Sequence, residues 1–480
     1  MESATKQPAQ PIARFTTGST MRHVLTMTAT ASVGLIAVFA VDMLNLFYVS
    51  LLGINELAAA IGFASTLMFF TLSIAIGLTI PTAALVGRCL GRGNRQEAAE
   101  MGGASMFFMG LATIAATAAI WPFLRPLLSL LGAQGETLEL ALRFLQIVIP
   151  STPLMALGMC ATGILRGAGD ARRSMYVTLF SAVATAILDP ILIFGLDLGL
   201  DGAAISTVLS RVVMLVVGWH GSQIVHGLLA FPNASRLRAA AGPFFNIGVP
   251  AILTQLATPI GNAYTMGVLA RFGDEAVAGM AVIGRLVPVA FVALFAVSGA
   301  IGPILAQNLG ARRFDRLQAA LRDALTFSTV YVLAVWALMA LFAHQISDAF
   351  GAADLARELI VFFCYFVAGR FLFEGAIFVA SAAFNNIGYP HYSTVLNWGR
   401  STLGVIPFVT YGAAWYGAKG ALAGAGLGVI VFGVIAVIWC YYVIGKVVAR
   451  GEAMKLEDLP PAPPASAQSP FSTGKAATLP

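Results

Sequence analysis

The chain has 480 residues, 58% of them hydrophobic and only 10% charged, with a mean hydropathy of +0.84 and a net charge of +6. Soluble domains carry about a quarter charged residues, so a chain this long and this apolar cannot cover its surface with groups that suit water. A soluble globular class is excluded, and the composition reads as a polytopic membrane protein.

The polar start, residues 1–22, has no apolar h-region. No cleavable signal peptide is expected, and the first span leads insertion. About 20 apolar residues cross a bilayer as a helix, and twelve such segments are predicted. The first six are Ala29–Leu52, Leu57–Val86, Gly103–Trp121, Ala141–Leu165, Met175–Leu196 and Ala203–Ile224. The second six are Pro243–Leu269, Val277–Ala306, Leu325–Ala343, Leu359–Phe384, Ser393–Tyr416 and Ala421–Val448. Residues 451–480, with LPPAPPASAQSP, cannot bury enough apolar surface to fold and are expected to form a disordered cytoplasmic tail.

With the N-terminus placed in the cytoplasm, 19 Lys and Arg fall in cytoplasmic segments, 5 on the opposite side and 4 inside spans. This bias predicts a multi-pass protein of the inner or plasma membrane with both termini cytoplasmic. It also accounts for the basic balance without nucleic acid as a partner. The scattered Cys89, Cys160, Cys364 and Cys440 lack the spacing of a disulfide or zinc framework.

The chain repeats itself. In LLGINELAAAIGFASTLMFFTLSIAIGLTIPTAALVGRCLGRG and ARFGDEAVAGMAVIGRLVPVAFVALFAVSGAIGPILAQNLGAR, Gly53 falls on Gly273 and Gly91 on Gly310. In GILRGAGDARRS and AAFNNIGYPHYS, Gly169 falls on Gly388 and Ser174 on Ser393. GLDGAAIST meets GAKGALAGA, and the shifts all lie between 218 and 220 residues. Each repeat holds an even number of spans, so both enter the membrane from one side. The predicted fold is all-α integral membrane: twelve transmembrane helices in two pseudo-symmetric six-helix lobes, a parallel repeat with a substrate path between or within the lobes. The N-lobe covers 23–226, the inter-lobe loop 227–242 and the C-lobe 243–450. No GxxxxGK[ST], HExxH or GxSxG motif appears, so ATP coupling and enzymatic chemistry are unsupported. A secondary transporter fits: it needs no cofactor beyond a coupling ion, and an internal duplication suffices as a monomer in the lipid bilayer.

An ionised residue at the centre of a span costs roughly 2.5–3.5 kcal/mol on insertion scales. The acids inside spans are Asp42, Asp189 and Glu374. Asp42 lies roughly 15 Å from the outer end of its span, and Asp189 roughly 10 Å, at about 1.5 Å per residue. Asn45 shares the Asp42 face. Pro190 removes a helical N–H beside Asp189, and irregular backbone beside an acid suits a cavity rather than lipid. Two readings fit these acids: proton carriage, or a hydrogen bond that fixes packing. Glu374 has Arg370 one turn before it, so an intrahelical ion pair competes with a second-lobe cation or proton site. Gln255, Thr258, Asn262 and Thr265 draw one polar stripe down span 7, which suits a substrate path or interhelical hydrogen bonds. Arg285 and Arg400 stand nearer span ends, where snorkelling is expected.

At these residues the chain resembles the multidrug and toxic compound extrusion (MATE) transporters. The resemblance covers nearly all of Met21–Val448. It rests on Asp42 followed by LLGINELAAAIG, on LRGAGDARRSM leading into ILDPILIFGLDLGLDGAAIST, and on FGDEAVAGMAVIGR. It implies two six-helix bundles around a V-shaped cavity and export of cationic or amphipathic small molecules in exchange for H+ or Na+. It implies Asp42 and Asp189 as the first-lobe acids and Thr207 as the span-6 threonine. Four residues before the second acid, where an asparagine is usual, this chain has Thr185. A sodium-associated branch carries a span-7 acid and a span-10 aspartate; here Thr258 and Glu374 stand at those places. The pattern is closer to the proton-coupled, DNA-damage-inducible-type branch, with Glu374 as the candidate Na+ ligand. The rival function is a flippase for a lipid-linked precursor or polar metabolite. That reading would want Arg211, Arg285, Arg370 and Arg400 to converge on the cavity.

Overall fold

The computed structural model describes residues 13–51 and 55–457; residues 1–12, 52–54 and the Pro-rich stretch from 458 lie outside the described residues. Among the described residues the architecture is all helical. The first lobe comprises α1 (Thr20–Leu51), α2 (Asn55–Gly91), α3 (Arg95–Ile120), α4 (Leu124–Leu130), α5 (Gly135–Val148), α6 (Thr152–Gly167), α7 (Ala171–Pro190) and α8 (Gly199–Trp219). The second comprises α9 (Ala234–Leu269), α10 (Asp274–Ala290), α11 (Val292–Gly310), α12 (Phe314–Leu341), α13 (Ala343–Ala349), α14 (Asp354–Phe362), α15 (Phe371–Ile387), α16 (Pro390–Thr402) and α17 (Ile406–Glu457).

Among the described residues eleven segments are long and apolar enough to cross a membrane, and the last, Pro390–Gly451, holds two passes. The chain reverses at Tyr416–Gly417, where Gly417 adopts φ 62°. Glycine tolerates that left-handed backbone without a Cβ clash. The two arms then press together: a Cβ on Gly412 would fall 2.1 Å from the Gly420 carbonyl oxygen. The twelve predicted passes are therefore present. The tail expected to be disordered from 451 begins as helix, since α17 runs to Glu457.

Several passes are jointed. Pro150 sits in the short turn between α5 and α6, and Pro288 precedes the break at Phe291 between α10 and α11. Each proline lacks the N–H that a continuous helix needs. The α14–α15 joint has no proline: a π turn (Phe363–Val367) and a 3-10 turn (Ala368–Arg370) intervene. Despite Pro243, Pro250 and Pro259, α9 remains one helix.

The lobes meet along α2 against α9 and α11, and α1 against α11. The contact has two-fold character. A Cβ on Gly91 would lie 2.2 Å from the Gln307 oxygen, and one on Gly310 would lie 2.2 Å from the Arg88 oxygen. Arg88 donates to the Asn386 carbonyl at 2.6 Å, and Gln307 donates to the Gly167 carbonyl at 2.7 Å. Gly91 and Gly310, Arg88 and Gln307, Gly167 and Asn386 are each 219 positions apart. The contacts are thus two copies of one contact, as a parallel repeat about a single axis requires.

These contacts gather at the end that carries the arginine-rich loops. The segment before α1 straps the same end. Phe15 is 3% exposed within the second-lobe core; its N–H donates to Gln307 Oε1 at 2.9 Å, and its carbonyl accepts from Arg316 at 3.0 Å. Thr20 donates to Asp323 on α12.

Candidate functional site

Asp189 closes α7, and after Pro190 the chain passes into a π turn, Ile191–Gly195. The kink expected from the proline is therefore a change of helix type. Asp189 is 0% exposed, and neither carboxylate oxygen has a hydrogen-bond partner among the described residues. Its polar neighbour is Ser206 of α8, the hydroxyl placed to donate to it. A carboxyl with open acceptor positions in an apolar setting is a seat for a proton or cation, because either neutralises a charge whose burial costs several kcal/mol.

Asp42 stands on α1, which packs lengthwise on α7. Asp42 is exposed and Asn45, one turn on, is half-buried. No hydrogen bond joins Asp42 to Asp189: the two acids occupy neighbouring helices, one accessible and one sealed. Thr185 and Thr207 return their hydroxyls to their own helices, to Ser181 O at 3.2 Å and Ala203 O at 2.9 Å. Ser206, adjacent to the threonine implied by resemblance, is the hydroxyl that α8 turns toward α7. Only the rotational phase of α8 reveals this.

In the second lobe, Glu374 is held by Arg400 of α16 in a buried ion pair, with side chains 8% and 7% exposed. A second nitrogen of Arg400 donates to Thr258 of α9 at 2.8 Å. This corrects two expectations. Arg400 does not snorkel, and Arg370 is not the hydrogen-bonded partner of Glu374. Arg370 ends a 3-10 turn and stands immediately before α15, whose first turn carries Glu374. Its guanidinium lies 5.1 Å from the centre of the Phe371 ring, a cation–π distance. Glu374 is thus paired across helices, with Arg400 rather than Arg370 as its hydrogen-bonded partner. Along α9, Gln255 is half-buried, Thr258 and Asn262 are exposed, and Thr265 is buried and bonded to Gly261 O. Of the four intramembrane arginines only Arg370 and Arg400 meet. Arg211 is buried against Val148 O and Ser151, and Arg285 is exposed on α10.

Outside the spans, Asp170 caps α7 by accepting from the Arg173 N–H, and it also bonds Arg173 Nη1 and His226 Nε2 at 2.6 and 2.8 Å. Burial raises its pKa, but the bonds from His226 and Arg173 outweigh burial and hold the carboxyl well below the usual carboxylate range. The inter-lobe connection is tied to the first lobe through this group.

Two six-helix lobes related by a repeat, with two acids on neighbouring helices of one lobe, define a membrane transporter rather than an enzyme. The family profile described as MatE matches residues 31–191 and 250–410, one lobe each. The chain is 30% identical over 434 residues to a protein of Shewanella oneidensis named FAD transporter, covering 89% of this chain and 94% of that one. It is 25% identical over 394 residues to the multidrug export protein MepA of Staphylococcus aureus, covering 79% and 84%. The solved Vibrio cholerae MATE transporter VcmN superposes with a TM-score of 0.85 at 24% identity, over 89% of this chain and 97% of that chain. The chain belongs to the MATE family of multi-pass membrane transporters.

Proposed function

We propose that this chain is a proton-coupled exporter of amphipathic small molecules, working as a monomer in the inner membrane with both termini cytoplasmic. The carrying observation is Asp189, fully buried with both carboxylate oxygens unpartnered on a helix packed along α1. A proton on this carboxyl removes a buried charge, and its loss restores one. That change alters how α7 packs on α1 and α8, which is the lever between two packed states. Asp42, accessible on α1, is the point of entry for the proton and attracts cationic head groups. The 19-to-5 bias of basic residues supports the cytoplasmic placement of the end where the lobes are locked. The described conformation is then the outward-open one.

Efflux of a fluorescent cationic dye from proteoliposomes tests this, with a proton or a sodium gradient imposed separately. Proton-driven efflux lost in Asp42→Asn and Asp189→Asn is the expected result. Efflux driven by sodium alone would reject proton coupling. A second reading is supported by the relative named FAD transporter: the exported amphipath carries negative charge.

A further inference from the structure

Around Glu374 the charges do not balance. Arg400 and Arg370 bring two guanidiniums to one carboxylate. The Nε of Arg400 and the Nε of Arg370 are both buried without a hydrogen-bond partner among the described residues. Arg400 itself is only 6% exposed. Arginine does not shed its proton in a protein, so an orphaned donor here is relieved by an acceptor and not by neutralisation. A net charge of about +1 buried among apolar helices is stabilised by a group that brings about one negative charge and oxygen lone pairs.

The cluster has an entrance. Arg400 is bonded to Thr258, which is exposed, and Asn262 is exposed one turn further along α9. The opposite face of α9 presents Val249, Leu253 and Ile260, which are 49%, 43% and 44% exposed. Residues three, four and seven apart share a helix face, so the Gln255–Thr258–Asn262 face is turned away from these apolar side chains. Exposed polar groups at mid-span depth line water-filled space rather than hydrocarbon. The first lobe carries the acids, and the second offers arginine donors beside this polar face.

The geometry points to an anion site in the second lobe: Arg400 and Arg370 take the carboxylate or phosphate of an amphipathic substrate, which enters along the polar face of α9. Glu374 orients Arg400 and keeps the site from binding a bare anion too tightly to release. The site rests on the second reading above, an exported amphipath with negative charge.

Flavin mononucleotide and riboflavin share one fluorescent ring and differ by a phosphate, so they isolate the charge. The full chain in detergent is titrated with each by fluorescence anisotropy. Flavin mononucleotide is expected to bind about tenfold or more tightly, the worth of one charge-assisted bond. Arg370→Gln, which leaves the Arg400–Glu374 pair in place, is expected to abolish the difference, and Arg370→Lys to retain part of it. Arg400→Lys is the second variant should Arg370→Gln lose its monodisperse gel-filtration peak, and it is expected to shrink the preference. Equal affinities in the wild type overturn the site. So does a preference that survives Arg370→Gln and Arg400→Lys, or displacement by inorganic phosphate at the same concentration as by flavin mononucleotide. Wild-type dye efflux under a proton gradient is run in parallel. Its absence beside an intact phosphate preference rejects proton exchange and leaves the anion site standing; efflux without a phosphate preference does the reverse.

Discussion

Removing either partner of the Arg400–Glu374 pair breaks the same contact, yet the two losses differ in cost. Glu374→Gln leaves Arg370 and Arg400 facing each other with no carboxylate, so the buried charge rises from about +1 to +2. An ion stripped of its partner in a buried site costs about 3–5 kcal/mol. Arg400→Gln leaves Arg370 beside Glu374 and makes the cluster neutral. It loses the charge-assisted bond to Glu374, about 1.5–3 kcal/mol, and the bond to Thr258, an exposed residue whose hydroxyl water can serve instead. Glu374→Gln is therefore expected to be the more destabilising by about 2 kcal/mol, and Glu374→Gln with Arg370→Gln to recover much of the loss. Reversible unfolding in mixed detergent micelles with increasing sodium dodecyl sulfate measures the order. Equal costs, or a costlier Arg400→Gln, would refute the claim that Arg370 belongs to the same electrostatic group.

The lock between lobes gives a second prediction: Gly310→Ala forces α2 and α11 apart by about 1–3 kcal/mol of overpacking. The buried Cys89 should then react with a membrane-permeant maleimide several-fold faster, and an unchanged rate would contradict the lock. Phe15→Ala empties a core position at a cost of about 3–5 kcal/mol, and amide exchange at the end of α11 should rise with it. Asp170→Asn tests the cap and tie. A carboxyl held below its ordinary pKa stabilises fully above about pH 4 and loses that contribution as pH falls through its folded value. The melting-temperature gap between wild type and Asp170→Asn should accordingly persist at pH 5 and close only in stronger acid.

The passes, the lobes and the first-lobe acids were legible because they are written in hydropathy, in a constant shift, and in the rarity of charge inside spans. One glycine pair of that shift, Gly91 and Gly310, marks where the backbones of the two lobes cross closely. The partner of Glu374 was not legible. Arg400 lies on another helix, 26 residues later, and the local rule saw only Arg370 one turn away. Ser206 was hidden for a related reason: neighbouring residues on α8 differ by rotation alone, and the hydroxyl that faces Asp189 is set by how α7 and α8 pack. Three π turns, at Ile191–Gly195, His220–Val225 and Phe363–Val367, adjoin Asp189, His226 and the Arg370–Glu374 region. Insertions of this kind often mark functional positions, and they leave no compositional trace.

The strap before α1 has a consequence for how the protein is made. Phe15 leaves the ribosome among the first residues, while its acceptor Gln307 follows 292 residues later. At about 5–20 residues per second this is roughly 15–60 s of synthesis. Throughout that interval the first lobe sits in the bilayer with its strap undocked and Arg88 without Asn386. Closure of this end is thus a late event of biogenesis, and a chain stalled or truncated before α12 would be inserted but unsealed, a leak that membrane quality control would have to recognise.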